Sequence, residues 1–192
     1  MNNLSIYPPT LDKGTIENKR QEILEYFNNT YTLFEKVFEI LVSDEVFYKK
    51  SEPSRHPMIF YFGHTATFFI NKLILMKIID KRVDANFESI FAVGVDEMAW
   101  DDVDAKSYAW PSVDEVRAYR AKVKKIVGEL IMNLKFELPI KQNSPMWVIL
   151  MGIEHERIHI ETSLVLHRQM PLEFVKNVKE FNICSHSSEA PK

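Results

Sequence analysis

A chain of 192 residues, 46% of them apolar and with a formal charge of −3, is sized for one domain with a full core and lacks the concentrated basic face that nucleic acid requires. No apolar run approaches the ~18 residues of a membrane span, and Met1-Asn2-Asn3-Leu4-Ser5 lacks the basic and apolar regions of a secretory signal. The one cysteine, Cys184, excludes an internal disulfide and points to the reducing cytoplasm; in its polar surroundings it reads as an incidental thiol.

Five glycines and apolar residues recurring at three and four predict an all-α domain. The first helix is expected to start after Thr15 as N-cap and to run to about Leu41, with Ile23, Phe27, Thr30, Phe34, Phe38 and Leu41 on its inner stripe. The second is expected from Pro57, tolerated in a first turn, to about Ile79, with Phe60, His64, Phe68, Asn71, Leu75 and Ile78 inward. The connection from Lys81 to Pro111 is long for a bundle loop. It carries Phe87, Phe91, Met98, Trp100 and Trp110, so it is expected to be ordered and packed. Such a length lets the chain return over the bundle, with helix 3 parallel to helix 2.

The third helix follows Pro111-Ser112, where Ser112 and Glu115 have capping-box spacing, and runs to about Leu134. The fourth follows Asn143-Ser144-Pro145 and runs to about His167. Four long amphipathic helices read as a four-helix bundle over residues 1–176. Residues 177–192 read as a polar tail or linker.

Chemistry concentrates on the fourth helix. Val148, Gly152, His155, His159, Thr162 and Leu166 recur by four and three, the stripe that faces a bundle core. His155 and His159, four apart, stand on one face. Two buried unpaired imidazoles are costly, and a shared metal ion offsets that cost; two core histidines hydrogen-bonded to neighbours are the plainer alternative. Gly152 leaves room beside the ligand. A third ligand is expected from another inner stripe, and His64 is the imidazole on that of helix 2. A three-His site with open positions suits Fe(II), Zn or Ni and leaves room for substrate with water or O₂.

The run His155-Glu156-Arg157-Ile158-His159 also fits the zinc-protease pattern H-E-x-x-H, with Glu156 as general base. The context is poor, because positions 162 and 165 hold Thr162 and Val165 where a metzincin needs Gly and His, and Glu180 is left as a third ligand. Glu154, Glu156 and Glu161 read instead as solvated residues or as groups that orient a metal ligand. On helix 3, Arg120 occupies an apolar-stripe position with Arg117 one turn before it. The two read either as arginines snorkelling at the bundle end or as a guanidinium pair for a substrate carboxylate.

Three stretches then carry a resemblance: Arg55 to Phe69 (RHPMIFYFGHTATFF), Gly94 to Asp102 (GVDEMAWDD) and Glu154 to Glu161 (EHERIHIE). Through them the chain resembles the N-terminal DinB-like domain of the ergothioneine and ovothiol sulfoxide synthases, more closely the 5-histidylcysteine sulfoxide synthases, over roughly residues 15 to 175. The resemblance implies an up-down-down-up bundle with a long crossover between helices 2 and 3. It implies non-haem Fe(II) held by His64, His155 and His159, with O₂ used to join a cysteine sulfur to an imidazole carbon of histidine and to oxidise that sulfur. It assigns Arg117 and Arg120 to the carboxylate of the thiol substrate. It also implies a formylglycine-generating-enzyme-like domain in cis that completes the active site and supplies a catalytic Tyr, without which this chain is expected to be inactive. The alternatives are a stand-alone DinB-type thiol transferase or hydrolase using Zn or Ni, and a non-catalytic bundle module.

Overall fold

The structure, a computed structural model, describes residues 6–92 and 109–179 together with Phe181. Four long helices are present among them: α1 (Ile16–Phe38), α2 (Met58–Leu75), α4 (Val113–Asn133) and α5 (Pro145–Gln169), with a short α3 (Ala85–Ile90) inside the crossover. Short 3₁₀ turns lie at Asp44–Tyr48 and Leu172–Phe174.

Each long helix begins where local chemistry starts it. The Thr15 hydroxyl accepts from the Asn18 N–H at α1, and Ser144 accepts from the Trp147 N–H ahead of Pro145 at α5. Ser112 and Glu115 cap one another reciprocally at α4. These bonds satisfy N–H groups that a helix start leaves without partners. At α2 the start is Pro57, which makes no side-chain cap bond. α1 and α2 end earlier than expected, and α5 runs on to Gln169. α1 stops at Phe38 because the chain turns so that Leu41 forms an isolated bridge with Val175. α2 stops at Leu75, shortly before Lys77 takes a left-handed φ of 55°, so Leu75 is exposed rather than inward.

Contacts along the helices fix their directions. Tyr26 meets Glu154 and Thr30 meets Arg157, while Phe38 meets His167, so α1 and α5 run parallel. Thr65 meets Glu156, and Phe69 lies against Gly152, so α2 and α5 are antiparallel. Arg20 reaches Ile131 and Tyr31 reaches Arg120, so α1 and α4 are antiparallel. The topology is therefore up-down-down-up. Each of α1 and α2 packs against both α4 and α5, around a core that includes Ile23, Phe27, Phe34, Phe60, Ile70, Val123, Val127 and Ile149. The inner stripe expected for α1 is buried at all six positions.

The expectation that no segment reaches the length of a membrane span is corrected. α2 is long and apolar enough to cross a membrane, with 18 residues of mean hydropathy 1.2, but 72% of it is buried inside the bundle and it serves as a core helix. Val178 is buried, and Phe181 packs against the core. Met98, Trp100, the stretch Gly94 to Asp102, Glu180, Cys184 and the end of the tail lie outside the described residues.

Candidate metal centre

His64, His155 and His159 converge. One ring nitrogen from each lies within 4.8 Å of the other two, and the ring centroids stand 4.5–5.0 Å apart. His64 comes from the centre of α2, and the other two lie one turn apart on antiparallel α5. Nitrogens bound at about 2.1 Å to a common ion stand at most about 4.2 Å apart, so small ring rotations close this set onto one ion.

Each ring is held by something specific. The His64 ring donates from Nδ1 to the carbonyl of Phe91, 2.7 Å away. A carbonyl only accepts, so the proton sits on Nδ1 and the lone pair on Nε2, as a metal ligand requires. Gly63 makes that bond possible. A Cβ at position 63 would stand 2.7 Å from the Phe91 ring, so the bare backbone lets Phe91 close against α2 and bring its carbonyl to the imidazole. The His155 ring lies flat on Phe68, centroids 3.7 Å apart and planes 7° from parallel, and the Lys72 ammonium sits 5.1 Å from the Phe68 ring. His159 Nδ1 lies 3.5 Å from the Thr162 hydroxyl.

The chemistry of the donors fits a cation. Burial, then the fields of His159, His64 and Lys72, lowers the His155 pKa from 6.5 to about 2. Burial and then His64 lower that of His159 to about 3. Both rings are thus neutral at physiological pH, the state that binds metal. The buried Nδ1 of His155 has no hydrogen-bond partner, an expensive arrangement that ligation could relieve. The residues present therefore fit a divalent ion bound by three imidazoles.

Other expectations change. α5 is rotated relative to the predicted phase. Its most buried positions include Gly152, Ile153, Glu156, Ser163 and Leu166, while Thr162 is exposed and His155 and His159 sit partly exposed on the flank facing α2. Gly152 does not open space beside a ligand; the Phe69 ring fills that space, and a Cβ there would stand 2.3 Å from it. Glu154 is exposed and accepts from the Tyr26 hydroxyl at 2.6 Å, and Glu161 is exposed. Glu156 is fully buried. Burial pushes its carboxyl pKa up, while Arg120 and Thr65 pull it back. Its carboxylate binds Arg120 and Thr65, so it is not presented to the three His as a protease base.

The arginines are not brought together at the cluster. Arg120 is buried completely. Its Nη1 donates to the Phe62 carbonyl and the Thr65 hydroxyl, each at 2.9 Å, and its Nη2 to Glu156 at 2.9 Å. The rings of Tyr31, Phe34 and Phe62 lie within 5.1 Å of its guanidinium carbon. Arg117 is exposed and held between Asp44 and Asp114 at 3.0 and 2.9 Å. It lines a cavity of about 760 Å³ with Asp44, Phe47 and Phe62, and none of the three His borders that cavity. Both guanidinium groups answer protein carboxylates in this arrangement, which differs from the expected shared fork at the metal and from snorkelling by Arg120.

The part sequence reasoning missed is the support around the ligands: the Phe91 carbonyl, the Phe68 ring and the Arg120–Glu156 pair. Gly63 beside His64 was the available signal for the first.

Comparison with known proteins agrees with this architecture. The chain is 28% identical over 137 residues to Ergothioneine biosynthesis protein 1 of Schizosaccharomyces pombe, covering 67% of this chain and 17% of that protein. It is 27% identical over 155 residues to the protein of the same name from Neurospora crassa, covering 76% of this chain and 17% of that protein. It therefore spans only a small part of the length of either relative. Residues 21–163, from α1 past His155 and His159 of α5, match the DinB superfamily, and with the bundle and the three converging imidazoles in place the chain belongs to that superfamily.

Proposed function

We propose that this chain is the metal-binding domain of a cytoplasmic sulfoxide synthase of the ovothiol type. His64, His155 and His159 hold Fe(II), and the substrates are cysteine, histidine and O₂. The observation that carries the reading is the convergence of three imidazoles on one point of a DinB bundle. The likeness to two ergothioneine biosynthesis proteins supports the direction of the chemistry.

The overall reaction balances without a further reductant. A cysteine S–H and an imidazole C–H are lost, a C–S bond forms, one oxygen atom of O₂ becomes the sulfoxide and the other leaves as water with the two hydrogens. Iron, when bound, supplies a redox-active Lewis acid with positions left open by three protein ligands. The chain's own residues orient and shield. The Phe91 carbonyl fixes the His64 tautomer, Phe68 fixes the plane of His155, and burial of α2 excludes water from one side. The partly exposed side along α5 is where substrates enter. Two substrates must be held in a near-attack arrangement, which can be worth several kcal/mol of the barrier. A single open flank does not do this, so a further domain in cis, of the formylglycine-generating-enzyme type, is required. Arg117 and Arg120 are engaged by Asp44, Asp114 and Glu156, so neither is assigned to a substrate carboxylate in this reading.

The test is metal analysis after anaerobic purification, followed by product analysis, with cysteine, histidine and O₂, of this chain alone and of the chain joined to a domain of the formylglycine-generating-enzyme type. One Fe(II) per chain, lost in His155→Ala, with sulfoxide formed only by the joined protein, supports the reading. Stoichiometric zinc with no sulfoxide product favours a thiol transferase or hydrolase, and no metal favours a non-catalytic module.

A further inference from the structure

Two of the three imidazoles have buried polar neighbours that touch one another. Thr65 follows His64, and Glu156 follows His155. The Thr65 hydroxyl donates to Glu156 Oε1 at 3.2 Å and accepts from Arg120 Nη1 at 2.9 Å, while Arg120 Nη2 donates to the same carboxylate oxygen. Nη1 also donates to the Phe62 carbonyl, half a turn before His64. One guanidinium on α4 thus binds α2 at two points and α5 at a third. Each point lies within two residues of a proposed ligand. All three side chains are fully buried.

Apolar packing between α2 and α5 is non-directional and tolerates small sliding motions. A charge-assisted, forked set of hydrogen bonds does not. Sliding α5 along α2 carries His155 and His159 together away from His64, and it also breaks the Thr65–Glu156–Arg120 bonds. The rings of Tyr31, Phe34 and Phe62 around the guanidinium fix its plane, so the fork is aimed before any ion binds.

We propose that Arg120, with Glu156 and Thr65, is a positioning residue for the metal centre: the buried clamp sets the register of α2 against α5 and so the spacing of His64 from His155 and His159. This rests on the metal reading above. It gives Arg120 a role on the protein side of the site, through other residues and without contact to the ion.

A structural role alone would change folding and leave the metal affinity of the folded protein unmoved. The whole chain is therefore titrated with Co(II), whose visible absorption reports ligand number and geometry, and unfolding by urea is followed in parallel. Replacing a buried ion pair by apolar residues of similar volume is often neutral for stability, so Arg120→Met/Glu156→Leu is the informative variant. The expected result is a folded protein that binds Co(II) roughly 10–100-fold more weakly, the loss seen when groups that orient metal ligands are removed, with an altered spectrum. A folded double variant with unchanged affinity and spectrum overturns the proposal.

Should the double variant not fold, Arg120→Lys decides. It keeps the charge and loses the fork, so about tenfold weaker binding is expected, and unchanged binding again overturns the clamp. His155→Ala separates the two readings. If the unaltered chain binds Co(II) and His155→Ala does not, the metal site stands whatever the clamp variants do. If the unaltered chain binds none, the site and the clamp fall together.

Discussion

His155 lies face to face with Phe68, centroids 3.7 Å apart and planes 7° from parallel. The phenyl ring leaves that imidazole little freedom to turn, so Phe68 governs where its nitrogens point. Phe68→Leu keeps the site apolar but removes the flat support. The expected outcome is a folded protein with about tenfold weaker divalent-metal binding, in the range found for supports of metal ligands. Calorimetric titration checks it, and an unchanged affinity would show that the stacking is incidental.

Metal should stabilise the fold by mass action. At free ion one hundred times the Kd, the gain is about 2.7 kcal/mol, or roughly 5–10 °C in Tm for a chain of this size. A chelator should reverse the shift. His64→Ala, His155→Ala and His159→Ala should each fold and show little or no metal-dependent shift. A shift retained in any of them would remove that residue from the ligand set.

Gly152 is where α5 accommodates the Phe69 ring of α2, with no space for a Cβ. Gly152→Ala should destabilise by about 1–3 kcal/mol, the usual range for overpacking a tight core, read as a lower urea midpoint with unchanged slope. A variant as stable as the parent would mean that the two helices separate easily at that point.

The His167 imidazole is buried edge-on against Phe38, and neither ring nitrogen has a hydrogen-bond partner. Burial lowers its pKa from 6.5 to about 4. Between those values the unfolded chain carries a proton that the folded chain lacks, so stability is lost as pH falls from 6.5 towards 4. His167→Phe should flatten that limb of the stability curve and raise stability near pH 5 relative to the parent. Parallel curves for the two proteins across that range would refute the assignment.

Much of this architecture is legible locally. Thr15, Ser112 with Glu115, and Ser144 with Pro145 mark helix starts through side chains a few residues from the N–H groups they satisfy. The spacing of His155 and His159, with His64 on an apolar stripe, was enough to assemble the cluster. The rotation of α5 was not legible. Glycine, threonine and histidine carry weak hydrophobic signals, and Glu156 looks like a solvent residue until Arg120, 36 positions earlier in the chain, is brought beside it. Arg120 in turn reads as a snorkelling arginine or as a group for an external carboxylate, because its partners come from α2 and α5. The orientation of His64 depends on Phe91, 27 residues away, and periodicity does not see such a contact.

The three imidazoles are unequally shielded: His64 is fully buried, while His155 and His159 reach the surface of α5. An ion seated there exchanges with solvent across α5. Local release then needs only the two outer rings to swing aside, with His64 the last contact broken. Metal loss to a strong chelator should therefore be a native-state process. Its rate should stay nearly flat as urea is raised below the unfolding midpoint, instead of climbing with the rate of global unfolding.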